Sequence, residues 1–310
     1  MSHAKQPLDA LTGAGQSPAH FDLLDMTYRM RFRAFVGVCM PPIFTSLNAH
    51  LKMMELRRKG IAPIMFHLDF RTGATPIAFG RGITNEHNLK LYRSITDANH
   101  QPAATGTERL MFVSQSIIRA KARSHGPEAL GYDDGSGEII EAGTAEIMHV
   151  ITKPVSAPGE RQVTTVPEEL RVLKEHRWEK PIPSVEAMSV PPAGYTPVDV
   201  GEWRERIDVW GMPNTDINQH VNVQEYLMGA ENQFTRLLHG ARLPVTKHRI
   251  SRARLLFRKP FFPGQPYAVR AQLYRRGNDT QMQAGFHVLE DAQPALRASA
   301  FVVFDGVIEA

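Results

Sequence analysis

The stretch DINQHVN at residues 216–222 sets a carboxylate, side-chain amides and an imidazole directly before a long apolar run, VQEYLMGAENQFTRLL. Asp216, Asn218, His220 and Asn222 fall on alternating positions. A carboxylate there can attack an electrophilic carbon or take a proton from water, and an amide and an imidazole beside it can hold water, substrate or the acid itself. The first turn of a following helix supplies unpaired N–H groups and the positive end of a dipole, which together polarise a carbonyl oxygen. Asp216, Asn218 and His220 are therefore the candidate catalytic residues. The competing reading is that Asp216 or Asn218 only caps the helix. A lone cap needs neither the His after Asn218 nor the second amide beyond it.

The elements that must position this segment follow from periodicity. Val223, Tyr226, Leu227, Ala230, Phe234, Leu237 and Leu238 recur at three- and four-residue steps and give a helix one broad apolar face. Ahead of the motif lie a strand candidate, EWRERIDVW, and the polar turn GMPNT. After Gly240, HRISRARLLFRKPFFPG, QPYAVRAQLYRRG, TQMQAGFHVLED and LRASAFVVFDG are strand-length segments separated by Gly, Pro, Asn and Asp. One strand, one long helix and four strands make an antiparallel sheet wrapped around a helix.

The N-terminal part reads as a second copy of this plan. YRMRFRAFVGVCM is expected as its first strand and AHLKMMELRRKG as its helix, with IAFGRGI, HNLKLYRSITD, ERLMFVSQSIIRAKARS and GTAEIMHVITK as strands. A slide of 170 residues puts SLNAHLKMMEL under DINQHVNVQEY, aligning Asn48 with Asn218, His50 with His220 and Ser46 with Asp216. In that register the carboxylate belongs to the second copy alone, and Asn48 and His50 read as residues that line the groove. The expected organisation is a loose tail over 1–25, a first domain over 26–153, a Pro-rich linker over 154–198 with a short helix beginning near Pro167, and a second domain over 199–310 carrying the motif. Trp178 is the expected anchor of that linker on a domain surface.

Composition limits the function classes. The chain has 310 residues, enough for two ordinary domains, and 42% hydrophobic with 22% charged residues is the balance of a globular protein. Apolar stretches are too short to span a bilayer. Lys plus Arg exceeds Asp plus Glu by four (36 against 32) without a dense basic block, so no nucleic-acid partner is expected. The lone Cys39 and the polar start MSHAKQPLDALTGAGQ lead to a cytoplasmic expectation. Scattered His residues offer no metal site, and no Gly-rich dinucleotide loop is present, so no cofactor is expected.

Asp216, Asn218, His220, Val221 and Asn222 resemble the Asp-x-Asn-x-His-Val-Asn signature that opens the central helix of hotdog-fold thioesterases, particularly the two-hotdog acyl-carrier-protein thioesterases of plants and bacteria. Single-hotdog acyl-CoA thioesterases are similar more loosely, through the Asp, the His-Val-Asn and a Glu further along the helix, here Glu231. The resemblance implies an α+β double hotdog, two antiparallel sheets each wrapped around a long central helix and packed as a pseudo-dimer, existing as a monomer or homodimer. It implies hydrolysis of an acyl thioester of CoA or acyl carrier protein to acid and thiol. Asp216 is then the nucleophile or the water-activating base, Asn218 and His220 position water and substrate, and Val221, Asn222, Asn48 and His50 line the substrate.

One position departs from that pattern. The family usually carries a Glu on the strand after the helix, whereas LLFRKPFFPG has Phe257, Arg258, Lys259 and Pro260 and no carboxylate. Glu231 does not replace it, because eleven residues beyond His220 is about 16 Å of helical rise. Glu225 is nearer, but is expected to face away from the side that Val223 and Leu227 share. The basic positions Arg249, Arg252, Arg254, Arg258 and Lys259 suit either a carrier's phosphopantetheine arm or a solvated strand face. Two other functions remain open: a hotdog hydratase-dehydratase acting on enoyl or 3-hydroxyacyl thioesters, and a non-hydrolytic acyl-binding protein. The usual dehydratase signature sets His five positions after Asp, with a Pro between; here the separation is four and Gln219 takes the Pro place.

Overall fold

The computed structural model describes residues 6–19, 21–25, 28–124, 136–215, 220–290 and 292–309. The chain divides into two units, one of Met1–Met30, Gly37–Leu68 and Thr75–Pro183, the other of Arg31–Val36, Asp69–Ala74 and Ser184–Ala310. Among the described residues no helix is long and apolar enough to cross a membrane.

In the first unit, β1 (Leu11–Pro18), β3 (Gly82–Thr96), β4 (Thr107–Lys121), β5 (Ile139–Thr152) and, as far as Leu68, β2 (Ala62–Thr72) lie in the order β1-β3-β4-β5-β2. The pairs from β1 to β5 are antiparallel. A short strand β6 (Glu175–Arg177) continues the edge of β3 in parallel where β1 ends. From Gly37 onward helix α1 (Phe32–His50) covers one face, where the Asn85 side-chain amide donates to the Val38 carbonyl at 3.3 Å. On the other face Met111, Val113 and Met148 pack under Trp178 and Ile182, so Trp178, 4% exposed, anchors the Pro-rich segment.

Four expectations for this half change. The expected tail contains β1, whose side chains alternate between inward and exposed positions. Its inward positions are Leu11, Gly13, Gly15 and Ser17, of which only Leu11 is apolar and large, so the strand carries no apolar period, and the lack of a Cβ at Gly13 and Gly15 is what lets Ser46, His87 and Pro42 approach. YRMRFRAFVGVCM is the start of α1 rather than a strand. Phe35, Cys39, Ile43 and Leu47 recur every fourth residue and are all buried, and the helix runs through Pro41 and Pro42 where a break would be read. The predicted helix is the tail of α1 plus a short α2 (Met53–Arg58). IAFGRGI is mostly the lead into β3, while IAPIMFHLDFRTG, unassigned from sequence, supplies β2.

The second unit has β9 (His248–Phe257), β10 (Pro266–Arg276), β11 (Asp279–Glu290) and β13 (Ala300–Ile308) in the order β9-β13-β11-β10. Two short strands, β7 (Thr196–Val198) and β8 (Glu205–Val209), share the outer edge of β10, and β12 (Gln293–Pro294) turns back on β11. These are the strands expected after Gly240. Before them a short helix α3 (Val185–Met188) and the long α4 (Val223–Gly240) complete the unit. Tyr226, Leu227, Ala230, Phe234, Leu237 and Leu238 are buried as their spacing requires. Tyr226 sits among Trp210, Phe257, Phe261 and Phe286, and Trp210 stacks on Tyr267 at 4.1 Å. The helix anticipated near Pro167 is only a 3₁₀ turn, Glu168–Leu170.

The two units repeat one another with an offset of 191 residues, not 170. A 3₁₀ turn at Phe21–Leu23 matches one at Met212–Asn214, an isolated antiparallel bridge from Leu24 to Met30 matches one from Thr215 to Val221, and α1 begins at Phe32 as α4 begins at Val223. In this register Asp25, not Ser46, stands at the place of Asp216, and Arg29 at that of His220. Both copies therefore carry the carboxylate, and the first lacks the imidazole.

Candidate active site

The entry to α4 is built by a chain of backbone bonds. Trp210, 4% exposed, exchanges hydrogen bonds with the 264–265 turn: its N–H donates to Gln265 and its carbonyl accepts from Gly264. The 3₁₀ turn at Met212–Asn214 then delivers Thr215, which bridges Val221. Five residues, 216–220, thus connect two paired positions. Asp216 and Asn218 lie outside the described residues, as do Ile217 and Gln219. His220 is half-buried and meets the Phe262 ring edge-on, centroids 5.2 Å apart.

Beyond His220 the polar groups are mostly engaged. The buried Val221 donates its N–H to the Phe261 carbonyl at 2.9 Å, and the Asn222 N–H goes to the Asn214 carbonyl at 2.8 Å. The Asn222 side chain caps the helix, its Oδ1 accepting from the Gln224 N–H at 3.0 Å. The Val221 and Asn222 amides are therefore committed and leave the polarisation of a carbonyl to the first turn of the helix itself. Val223 N–H, the first of the helix proper, has no partner among the described residues and stands at the positive end of the dipole.

Glu225 does not simply face solvent. As the third residue of α4 its side chain leans back toward the helix start, and its carboxylate accepts from Asn214 Nδ2 at 2.7 Å. Asn214 Oδ1 in turn accepts the Gly211 N–H at 2.8 Å. Asn214 lies inside the polar turn GMPNT, and its position two residues before Asp216 is the only signal of its contact with Glu225 that the sequence carries.

Asn48 and His50 are exposed in the last turn of α1. With the repeat at 191 residues they correspond to the far end of α4, not to its entry. In the first unit Asp25 turns inward on its own loop, Oδ1 accepting the Arg29 N–H at 3.0 Å.

The basic strand β9 is largely neutralised. Arg249 pairs with Glu309 at 2.7 Å, Arg252 with Asp69 at 2.8 Å and Arg254 with Asp305 at 3.2 Å. Arg258 donates to the Ala298 carbonyl, so Lys259 is the cation of this stretch without a described partner. A cavity of about 480 Å³ in the second unit is lined by Arg204, Glu205, Arg270, Gln283 and others, and one of about 490 Å³ in the first by Arg93, Glu175, Arg177 and Trp178 among others. Neither includes His220 or its neighbours. Among the described residues no three His, Cys, Asp or Glu side chains gather as a metal would require.

No family model matches the chain, and no curated protein matches it in sequence. Its structure is similar to that of a Lactobacillus plantarum protein provisionally named an oleoyl thioesterase, with TM-score 0.64 and 12% identity over 97% of this chain and 98% of that one. It is also similar to the 12:0-ACP thioesterase of Umbellularia californica, with TM-score 0.62 and 10% identity over 96% and 95%. An acyl-ACP thioesterase of Bacteroides thetaiotaomicron matches with TM-score 0.58 and 10% identity over 95% and 97%. At such identities the likeness is one of fold, and it runs through both units: the chain is an α+β double hotdog.

Proposed function

We propose that the chain is a thioester hydrolase, cleaving an acyl-CoA or acyl-carrier-protein thioester to free acid and thiol at the entry to α4. The observation that carries this reading is the bridge from Thr215 to Val221, which brackets Asp216, Asn218 and His220 in the sequence and leads into a buried helix whose Val223 N–H has no partner among the described residues. Support comes also from a fold shared with proteins named as thioesterases.

In the proposed reaction Asp216 takes a proton from water whose oxygen adds to the thioester carbon, or its carboxylate adds directly and the resulting anhydride is hydrolysed. Val223 N–H and the helix dipole stabilise the oxyanion. Collapse of the tetrahedral intermediate breaks the C–S bond, and the thiolate leaves to be protonated. Asn218 and His220 hold the water and the thioester group, with the Phe262 edge restricting the imidazole.

Thiol release from short, long and aromatic acyl-CoAs and from an acyl-carrier protein tests the proposal. Release is expected for at least one class. Interconversion of enoyl and 3-hydroxyacyl thioesters without thiol release would assign a hydratase-dehydratase instead, and a melting shift without turnover would assign an acyl-binding protein.

A further inference from the structure

Asn214 ties three parts of the α4 entry together. Its Nδ2 donates to Glu225 Oε2 at 2.7 Å, its Oδ1 accepts from Gly211 N–H at 2.8 Å, and its carbonyl accepts from Asn222 N–H at 2.8 Å. It precedes Asp216 by two residues, while Glu225 is on the first turn of α4, which carries Val223 N–H. We propose that Asn214 and Glu225 form a positioning clamp that holds the Thr215–Val221 bridge in register with that helical turn; this rests on the reading of the α4 entry as the thioesterase centre.

The first unit supplies the internal control. Its 3₁₀ turn, its Leu24–Met30 bridge and the start of α1 have the same spacing, yet Leu23 stands in place of Asn214 and Ala34 in place of Glu225. Folding of the bridged loop does not require the pair. Where the pair is missing, His220 is also replaced, by Arg29. The clamp and the imidazole therefore occur together in one copy and are absent together from the other, as expected if the pair serves the chemistry. A displaced catalytic group loses rate steeply, because the near-attack geometry tolerates little movement.

Wild type, Glu225→Ala, Asn214→Ala, their double variant and Glu225→Gln are to be compared by kcat and KM for thiol release, and by amide hydrogen exchange over residues 211–225. Either alanine variant is expected to lower kcat roughly tenfold or more with little change in KM. The Val221 and Asn222 amides are expected to exchange faster in both. The double variant is expected to be no slower than the slower single, since both remove one interaction. Glu225→Gln keeps an oxygen that accepts from Asn214 Nδ2, and should keep kcat within about threefold. Alanine variants with wild-type kcat and protection would overturn the clamp. So would Glu225→Gln as slow as Glu225→Ala, which would assign the role to the charge. If wild type releases no thiol, or Asp216→Ala releases it as fast, the functional reading fails separately; exchange then decides the clamp, with unchanged protection in Glu225→Ala counting against it and faster exchange upholding it.

Discussion

Ser46 Oγ and His87 Nε2 lie 2.8 Å apart in the buried layer of the first unit, and the same pair presses on Gly13 of β1. A Cβ at Gly13 would come within 2.5 Å of the Ser46 hydroxyl and 2.8 Å of the His87 ring. Gly13→Ala is therefore expected to destabilise the protein by about 1–3 kcal/mol through overpacking. The neighbouring exposed Thr12 gives the control, Thr12→Ala changing stability by less than about 0.5 kcal/mol. Urea unfolding of both variants measures the difference.

Acid should weaken the fold through His149. This residue, 5% exposed on β5, has its imidazole pushed down to about 4 by burial, against an ordinary value of 6.5. The folded state keeps it neutral while the unfolded chain binds a proton below pH 6.5. Its contribution is fully present above 6.5, falls by about 1.4 kcal/mol per pH unit as the pH drops toward 4, and is flat below that. His248, pushed down to about 4 by burial too, acts in the same direction. Unfolding midpoints of wild type and His149→Gln at pH 7.5, 6 and 5 should show a shallower decline in the variant.

The Asn222 cap makes a separable claim. Removing its Oδ1 from the Gln224 N–H in Asn222→Ala should cost about 1 kcal/mol of stability, and Asn222→Ser should recover most of it. Thermal unfolding checks this without reference to activity. An alanine variant of unchanged stability would detach Asn222 from the capping role.

Much of the second unit was legible because its apolar residues keep a period. The face of α4 recurs at helical steps, and the four strands after Gly240 are punctuated by turn residues. The first unit hid its plan for definite reasons. With Gly13 and Gly15 at its inward positions β1 shows only Leu11 as an inward apolar side chain, the evenly apolar start of α1 fits a strand as well as a helix, and Pro41 and Pro42 break the pattern in mid-helix. The identities between SLNAHLKMMEL and DINQHVNVQEY point to Ser46, whereas the spacing of the elements sets Asp25 at the place of Asp216. Glu225 was read from the helix sides alone. At the third helical position a side chain also reaches back past the cap, which is where Asn214 meets it.

The central claim is that chemistry belongs to the segment bracketed by the Thr215–Val221 bridge and not to the one bracketed by the Leu24–Met30 bridge. Thiol release by wild type, Asp216→Ala and Asp25→Ala, each checked for folding by circular dichroism, tests it most directly. The account predicts that release disappears in Asp216→Ala and persists in Asp25→Ala. Release that survives in a folded Asp216→Ala variant, or that is lost in a folded Asp25→Ala variant instead, would contradict it.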